Sequence, residues 1–329
     1  MPRNSANLFP IPYPSLLGNF AWTLTGNAVY GACQWAILIV FSKFGSPEIV
    51  GEFVLGLAIC TPLMMLAHLE LRSVEATDAR HQYNLEDYLA LVLLTSLISL
   101  VFIAGIVWLA GYGLRLGAII LLIGAFKLFE NVSFVFYGFF QKTERMSFFS
   151  TSLILKGVLS VLLVAISMYS NGSLLWSVVF LAGVWGAVLI AYDIRGARKI
   201  VAGDNPGTGS NPEIRSIRSD GIRPNWDVPV LKDIFTLCAP LGMASAIASL
   251  DVNIPRYLME RHLNLSALGI FSAMAYMVVI GGRFVVTLMH AFMPRLARYY
   301  LEKRKSAFIK LLGKQVFVIL LLAWIPTKA

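Results

Sequence analysis

Nine long apolar stretches, separated by short polar loops, run from Leu16 to Ile325. A bilayer core about 30 Å thick takes a helix of about 20 apolar residues to cross. Leu16 to Ser42 contains no charged residue, nor does Tyr88 to Leu114, nor Gly157 to Tyr192. The last is long enough for two crossings, with a tight turn at Asn171-Gly172-Ser173 between them. Each run far exceeds the roughly 10 residues of a barrel strand. In lipid, every backbone group must also be satisfied within its own segment. The chain is therefore expected to be an all-α, polytopic membrane protein. Its spans are predicted over residues 16–42, 49–69, 88–111, 115–140, 148–170, 174–194, 232–252, 264–290 and 306–325.

Composition bears on partners. Only 14% of residues are charged, against about 25% in soluble domains. The net charge of +9 would suit nucleic acid, but the basic residues sit in loops between spans, so no nucleic-acid partner is expected. Cys33, Cys60 and Cys238 lie within apolar runs without metal-ligand spacing and are read as buried small hydrophobes, with no metal or cofactor. The first span is too long for a cleavable signal peptide, and only Arg3 precedes it as a charge.

Loop Lys and Arg residues set the orientation. With the N-terminus in the cytoplasm, 17 of them fall inside and 4 outside, the latter being Lys43, Arg115, Arg256 and Arg261. N-in topology follows. Between the sixth and seventh spans, Asp204-Asn205-Pro206-Gly207-Thr208-Gly209 reads as a flexible cytoplasmic linker. The expected organisation is a six-helix lobe over 1–195, a linker over 196–231 and a partial, three-helix lobe over 232–329.

Slid along itself until Gly51 meets Gly269, the chain aligns weakly with its own second half. Gly51-Glu52-Phe53 falls on Gly269-Ile270-Phe271, and the same shift puts Ala79-Arg80 on Ala297-Arg298. That offset implies parallel repeats of six spans, a transporter pattern.

Several passages resemble the polysaccharide transporter family, the lipid-linked O-antigen and repeat-unit flippases of the multidrug/oligosaccharidyl-lipid/polysaccharide flippase superfamily. They are Gly26-Asn27-Ala28-Val29-Tyr30, Gly51-Glu52-Phe53, Leu71-Arg72-Ser73, Phe140-Gln141-Lys142-Thr143-Glu144-Arg145, Asn253-Ile254-Pro255-Arg256-Tyr257 and Leu268-Gly269-Ile270-Phe271-Ser272-Ala273. The resemblance implies a two-lobed bundle of 12 to 14 spans in a bacterial inner (plasma) membrane. It implies alternating access that moves a polyprenyl-pyrophosphate-linked oligosaccharide outward for O-antigen, capsule or exopolysaccharide assembly. A polysaccharide polymerase and chain-length proteins would be the partners besides membrane lipids. Nine spans fall short of the family's number, so the second lobe is expected to be incomplete.

Charges inside spans are costly and usually face a cavity or one another. Lys127, Lys156 and Arg283 are cations within spans, and Glu130 is an anion. Lys127 and Glu130, spaced i,i+3, can pair. Otherwise the cations serve an anionic substrate, since ammonium and guanidinium groups bond phosphate oxygens well. Lys156 and Arg283 also have the option of reaching to the cytoplasmic interface. Arg256 joins them as a candidate substrate contact. Asp251 and Asn253 precede Pro255, which is expected to break the helix and free carbonyls for a coupling ion, with Glu130 a further candidate. No hydrolase, zinc or phosphate-loop motif occurs, so no enzyme is expected. Among the charges singled out here, Lys127, Lys156 and Arg283 outnumber Glu130, which favours an anionic lipid substrate. The alternatives are an ion-coupled multidrug antiporter of the same superfamily and a truncated, non-transporting scaffold.

Overall fold

The computed structural model describes residues 16–78, 82–143, 145–203, 222–275 and 305–324, and every regular element among them is helical. In chain order they are α1 (Leu16–Phe44), α2 (Pro47–His68), α3 (Leu71–Thr77), α4 (Leu85–Leu109), α5 (Leu114–Lys142), α6 (Met146–Asn171) and α7 (Leu174–Val188). After α7 come a π-helical turn (Leu189–Asp193), α8 (Ile194–Gly203), α9 (Val228–His262), α10 (Leu265–Ala275) and α11 (Lys305–Trp324). Seven of the described stretches are long and apolar enough to cross a membrane: α1, α2 with α3, α4, α5, α6, α7 through α8, and α9. The protein is thus an all-α, multi-pass membrane protein. It divides into two compact units, Met1–Ile270 and Phe271–Ala329, of which the second contributes α11.

Local chemistry sets the helix ends. Ser46 caps α2, and Pro47 occupies its first turn, where a missing N–H costs nothing. Asn84 and Asp87 form a reciprocal capping box at the start of α4. Gly172, at φ 56°, ends α6 in the left-handed conformation at the turn expected there. Leu69 and Glu70 also take positive φ, 53° and 54°, and break α2 from α3. Two consecutive non-glycine residues in that region are strained. The surroundings hold them: Leu69 is buried, and Glu70 accepts from the Ser245 hydroxyl at 2.8 Å.

Helices run beyond their expected limits in two places. The sixth span does not stop at residue 194 but continues as helix to Gly203. Gly196 and Ala197 are buried there, with Phe148 close against Gly196, so small residues extend the helix rather than end it. Arg195, Arg198 and Lys199 lie exposed on its other faces. Residues 204–221 lie outside the described residues; the chain is tethered again by Asn225, whose backbone amide donates to Glu86 O at 3.0 Å and whose side chain donates to Asp87 Oδ1 at 2.7 Å. The expected break at Pro255 is absent. α9 is helical for 35 residues through both Pro240 and Pro255. A proline removes one hydrogen bond, which a long helix tolerates by local adjustment. The eighth expected span, 264–290, is described only as far as Ala275.

Packing follows residue size. α1 lies against α6 where Gly26 meets the Ser150 backbone and Gly157 meets Cys33. Small residues let backbones approach closely, which is how helices associate in lipid without a hydrophobic drive. α9 lies along α2: Gly242 leaves room for Leu69, and the Tyr257 hydroxyl donates to Ala58 O. Between α4, α5, α6 and α9 sits an aromatic-rich core around Tyr88, Phe136, Tyr137, Phe140 and Phe149. Val101 and Phe102 of α4, 72% and 60% exposed, belong to the lipid-facing surface. Cys60 and Cys238 are buried, as expected of small hydrophobes, while Cys33 is half-buried.

The sequence repeat recurs in the fold. The shift that carries Gly51 onto Gly269 also carries Phe44, where α1 ends, onto His262, where α9 ends. Both are followed by a short turn and then a new helix.

Candidate functional site

The polar interior of the six-span bundle is built on α5, α6 and the π-turn. Lys156 is fully buried on α6. Its ammonium donates to Asp193 Oδ2 at 2.6 Å, Ser133 Oγ at 2.7 Å and Tyr137 Oη at 2.9 Å. An ammonium has three protons, and all three are placed. The ring of Trp185 covers it, 4.7 Å from Nζ to the centroid, adding a cation–π contact. Tyr137 is bonded in turn to Ser152 at 2.9 Å. The reach to the cytoplasmic interface considered for Lys156 is therefore not taken.

Asp193 escaped the sequence reading. The expected span ended one residue later, at 194, which made Asp193 a terminal residue. Continuation to Gly203 puts it about ten residues, or roughly 15 Å, inside the helix end. Lys156 lies equally deep, about ten residues from the start of α6 at Met146. Antiparallel neighbours with charges at equal depth meet. The π-turn inserts its extra residue where Asp193 must turn inward, and such turns often mark functional positions. The available signal was the buried lysine itself, since a cation at that depth requires an anion.

Lys127 and Glu130 of α5 form the expected i,i+3 pair, at 2.5 Å. Asp193 thus joins Glu130 as an anion inside the bundle. Both lysines are neutralised, so neither is a spare charge. At the end of the bundle where α2, α5 and α6 reach their basic loops, Arg72 of α3 is different. Its guanidinium lies over Phe149 at 4.7 Å and Tyr137 at 6.0 Å, and it donates to the neutral Gln141 Oε1 at 3.4 Å. Nearby, Lys142 and Asp78 pair at 3.6 Å.

At the far end of α9, Arg256 donates to Asn253 Oδ1 at 2.6 Å, and Asn253 donates to Ser249 O at 2.7 Å. Asn253 is buried while Asp251, two positions earlier, is exposed on another face. The two are not brought together on one face, and α9 runs on unbroken, with Pro255 removing the intrahelical donor for the Asp251 carbonyl alone rather than opening a turn. Glu52, buried near the start of α2, pairs with the exposed Arg115 at 3.2 Å. Arg283 lies outside the described residues.

No family model and no solved structure matches the chain. Among curated proteins it is similar to the capsular polysaccharide biosynthesis protein CapF of Staphylococcus aureus, 30% identical over 305 residues, which is 92% of this chain and 71% of that protein.

Proposed function

Because the chain belongs to the family of the capsular polysaccharide biosynthesis protein CapF, we propose that it is a flippase. It carries a polyprenyl-pyrophosphate-linked oligosaccharide across a bacterial plasma membrane by alternating access. The observation that carries this reading is the relationship itself, joined to a helical bundle in which the α1–α2 pair recurs as α9–α10. Transporters built from parallel repeats have that form. The N-terminus faces the cytoplasm, on the count of basic loop residues. The protein does no covalent chemistry in this reading, and its partners are the lipid-linked substrate and the polymerase that consumes it.

The cations within the spans do not meet the pyrophosphate where they are spent on carboxylates. Lys127 and Lys156 are paired, which moves the substrate contact toward Arg72. Its planar guanidinium, held on two ring faces and a neutral amide, keeps its charge for a phosphate. Arg256, seated on Asn253 at the other end of the bundle, is a second contact.

Deleting the gene should abolish the surface polysaccharide and raise the pool of lipid-linked repeat units in the membrane. Drug sensitivity with a normal lipid-linked pool would favour the antiporter instead. Unchanged polysaccharide and an unchanged pool would contradict the flippase reading.

A further inference from the structure

α2 and α10 begin with the same devices, at equivalent positions of the repeat. Ser46 caps α2, its hydroxyl accepting from Ile49 N at 3.3 Å. Asn264 caps α10, its amide oxygen accepting from Ala267 N at 2.7 Å. Gly51 lies one turn into α2, and Gly269 one turn into α10. The two helix starts cross at these glycines. A β-carbon added to Gly51 would collide with the carbonyl oxygen of Leu265. One added to Gly269 would collide with the carbonyl oxygen of Pro47 and lie 3.1 Å from the amide nitrogen of Gly51. The shift that carries Gly51 onto Gly269 also carries Pro47 onto Leu265. Each glycine therefore receives the carbonyl that stands in the equivalent position on the other helix. Reciprocal contact of this kind is the mark of a local two-fold axis.

The contact is made of backbone. The atoms nearest to both glycines are backbone, and among the described residues no hydrogen bond or ion pair joins the two helix starts. It is held by dispersion and weak C–H···O contacts. Parting the two helix starts strands no charge, and the Tyr257–Ala58 hydrogen bond beneath them opens with it. The α5–α6–α7 joint is the opposite case, because separating Lys156 from Asp193 would leave two charges unpaired in lipid. Two turns deeper on the same face of α2, Ala58 is fully buried, and its carbonyl accepts from Tyr257 of α9. The crossing lies at the end of the bundle that holds the short turns α1–α2 and α9–α10, which N-in topology places outside.

We propose that the Gly51–Gly269 crossing is the separable seal on the outer side of the transport path, made from two copies of one helix start. It rests on the transporter reading above. In operation the crossing parts when the outer side opens and reforms when it closes.

The test places a cysteine at Ala58, with Cys33, Cys60 and Cys238 replaced by alanine, and applies a membrane-impermeant maleimide to intact cells. With both glycines present, labelling is slow. Gly51→Val or Gly269→Val wedges the seal and accelerates labelling about tenfold, the population shift that one overpacked residue can produce. Gly105→Val, where a β-carbon meets nothing within 4 Å, leaves labelling unchanged. Unaltered labelling in both wedge variants at normal protein level overturns the proposal. So does loss of the protein from the membrane in the valine variants and in Gly51→Ala and Gly269→Ala while Gly105→Val persists, since the crossing would then be a fixed joint. Labelling needs no substrate. A failed seal leaves the deletion phenotype intact, and a failed transport reading leaves the labelling change intact.

Discussion

Lys156→Met should be the most damaging single substitution in the six-span bundle. Removing the ammonium leaves Asp193 buried and uncompensated, 0% exposed, with Ser133 and Tyr137 also losing a partner. Breaking a buried ion pair from one side costs about 3–5 kcal/mol, because the stranded charge has nowhere to go. The protein should fall to a small fraction of its wild-type level in the membrane, and its melting temperature in detergent should drop sharply. The double variant Lys156→Met, Asp193→Leu should recover most of both. A pair replaced by apolar residues of similar volume is often neutral, and Tyr137 retains Ser152 at 2.9 Å. If the double variant is as poor as the single one, the pair does more than hold α6 to the π-turn. If Lys156→Met is harmless, the arrangement around the ammonium is wrong.

The second large effect is expected at Gly26. A β-carbon there would lie 2.8 Å from Ser150 Cα, which is backbone and cannot swing aside. The Ser150 hydroxyl also donates to Trp22 O, so the crossing is fixed on both sides. Gly26→Val should separate α1 from α6 and cost about 1–3 kcal/mol or somewhat more, the usual range for an overpacked interior. Gly31→Val, on the same helix with nothing within 4 Å, should be near neutral. Paired melting measurements of the two variants check this; equal losses would remove the special status of the crossing.

Most of the spans were legible in the sequence because lipid imposes a crude rule of about 20 apolar residues per crossing. The turn at Gly172 and the Lys127–Glu130 pair followed from equally local rules. What was not legible depends on how far a helix continues once its composition turns polar. Gly196 looked like the start of a linker, yet its lack of a side chain is what lets Phe148 pack against a continuing helix. That one misplaced end hid Asp193 and inflated the apparent surplus of cations. Pro255 misled in the opposite direction, since a helix end predicted from one residue ignores the packing that carries α9 past it. The repeat was visible only as a few identities. Its strength appears in three dimensions, where Gly51 and Gly269 meet and their equivalent carbonyls are exchanged. Arg72 stood in the sequence only as part of the Leu71-Arg72-Ser73 passage, and its seat on Phe149 and Tyr137 was not legible, since those rings come from α6 and α5, far along the chain.

The central claim is that the protein moves a lipid-linked polysaccharide precursor from the inner to the outer leaflet. The direct measurement is the sidedness of that precursor in spheroplasts lacking the polymerase, so that the lipid-linked unit is not consumed. An externally added lectin or glycosidase that recognises the repeat unit reports the fraction exposed outside. With the protein present, a substantial fraction should be reachable. With the gene deleted, the precursor should be present but unreachable, and re-expression should restore access. An equal reachable fraction with and without the protein would contradict the account.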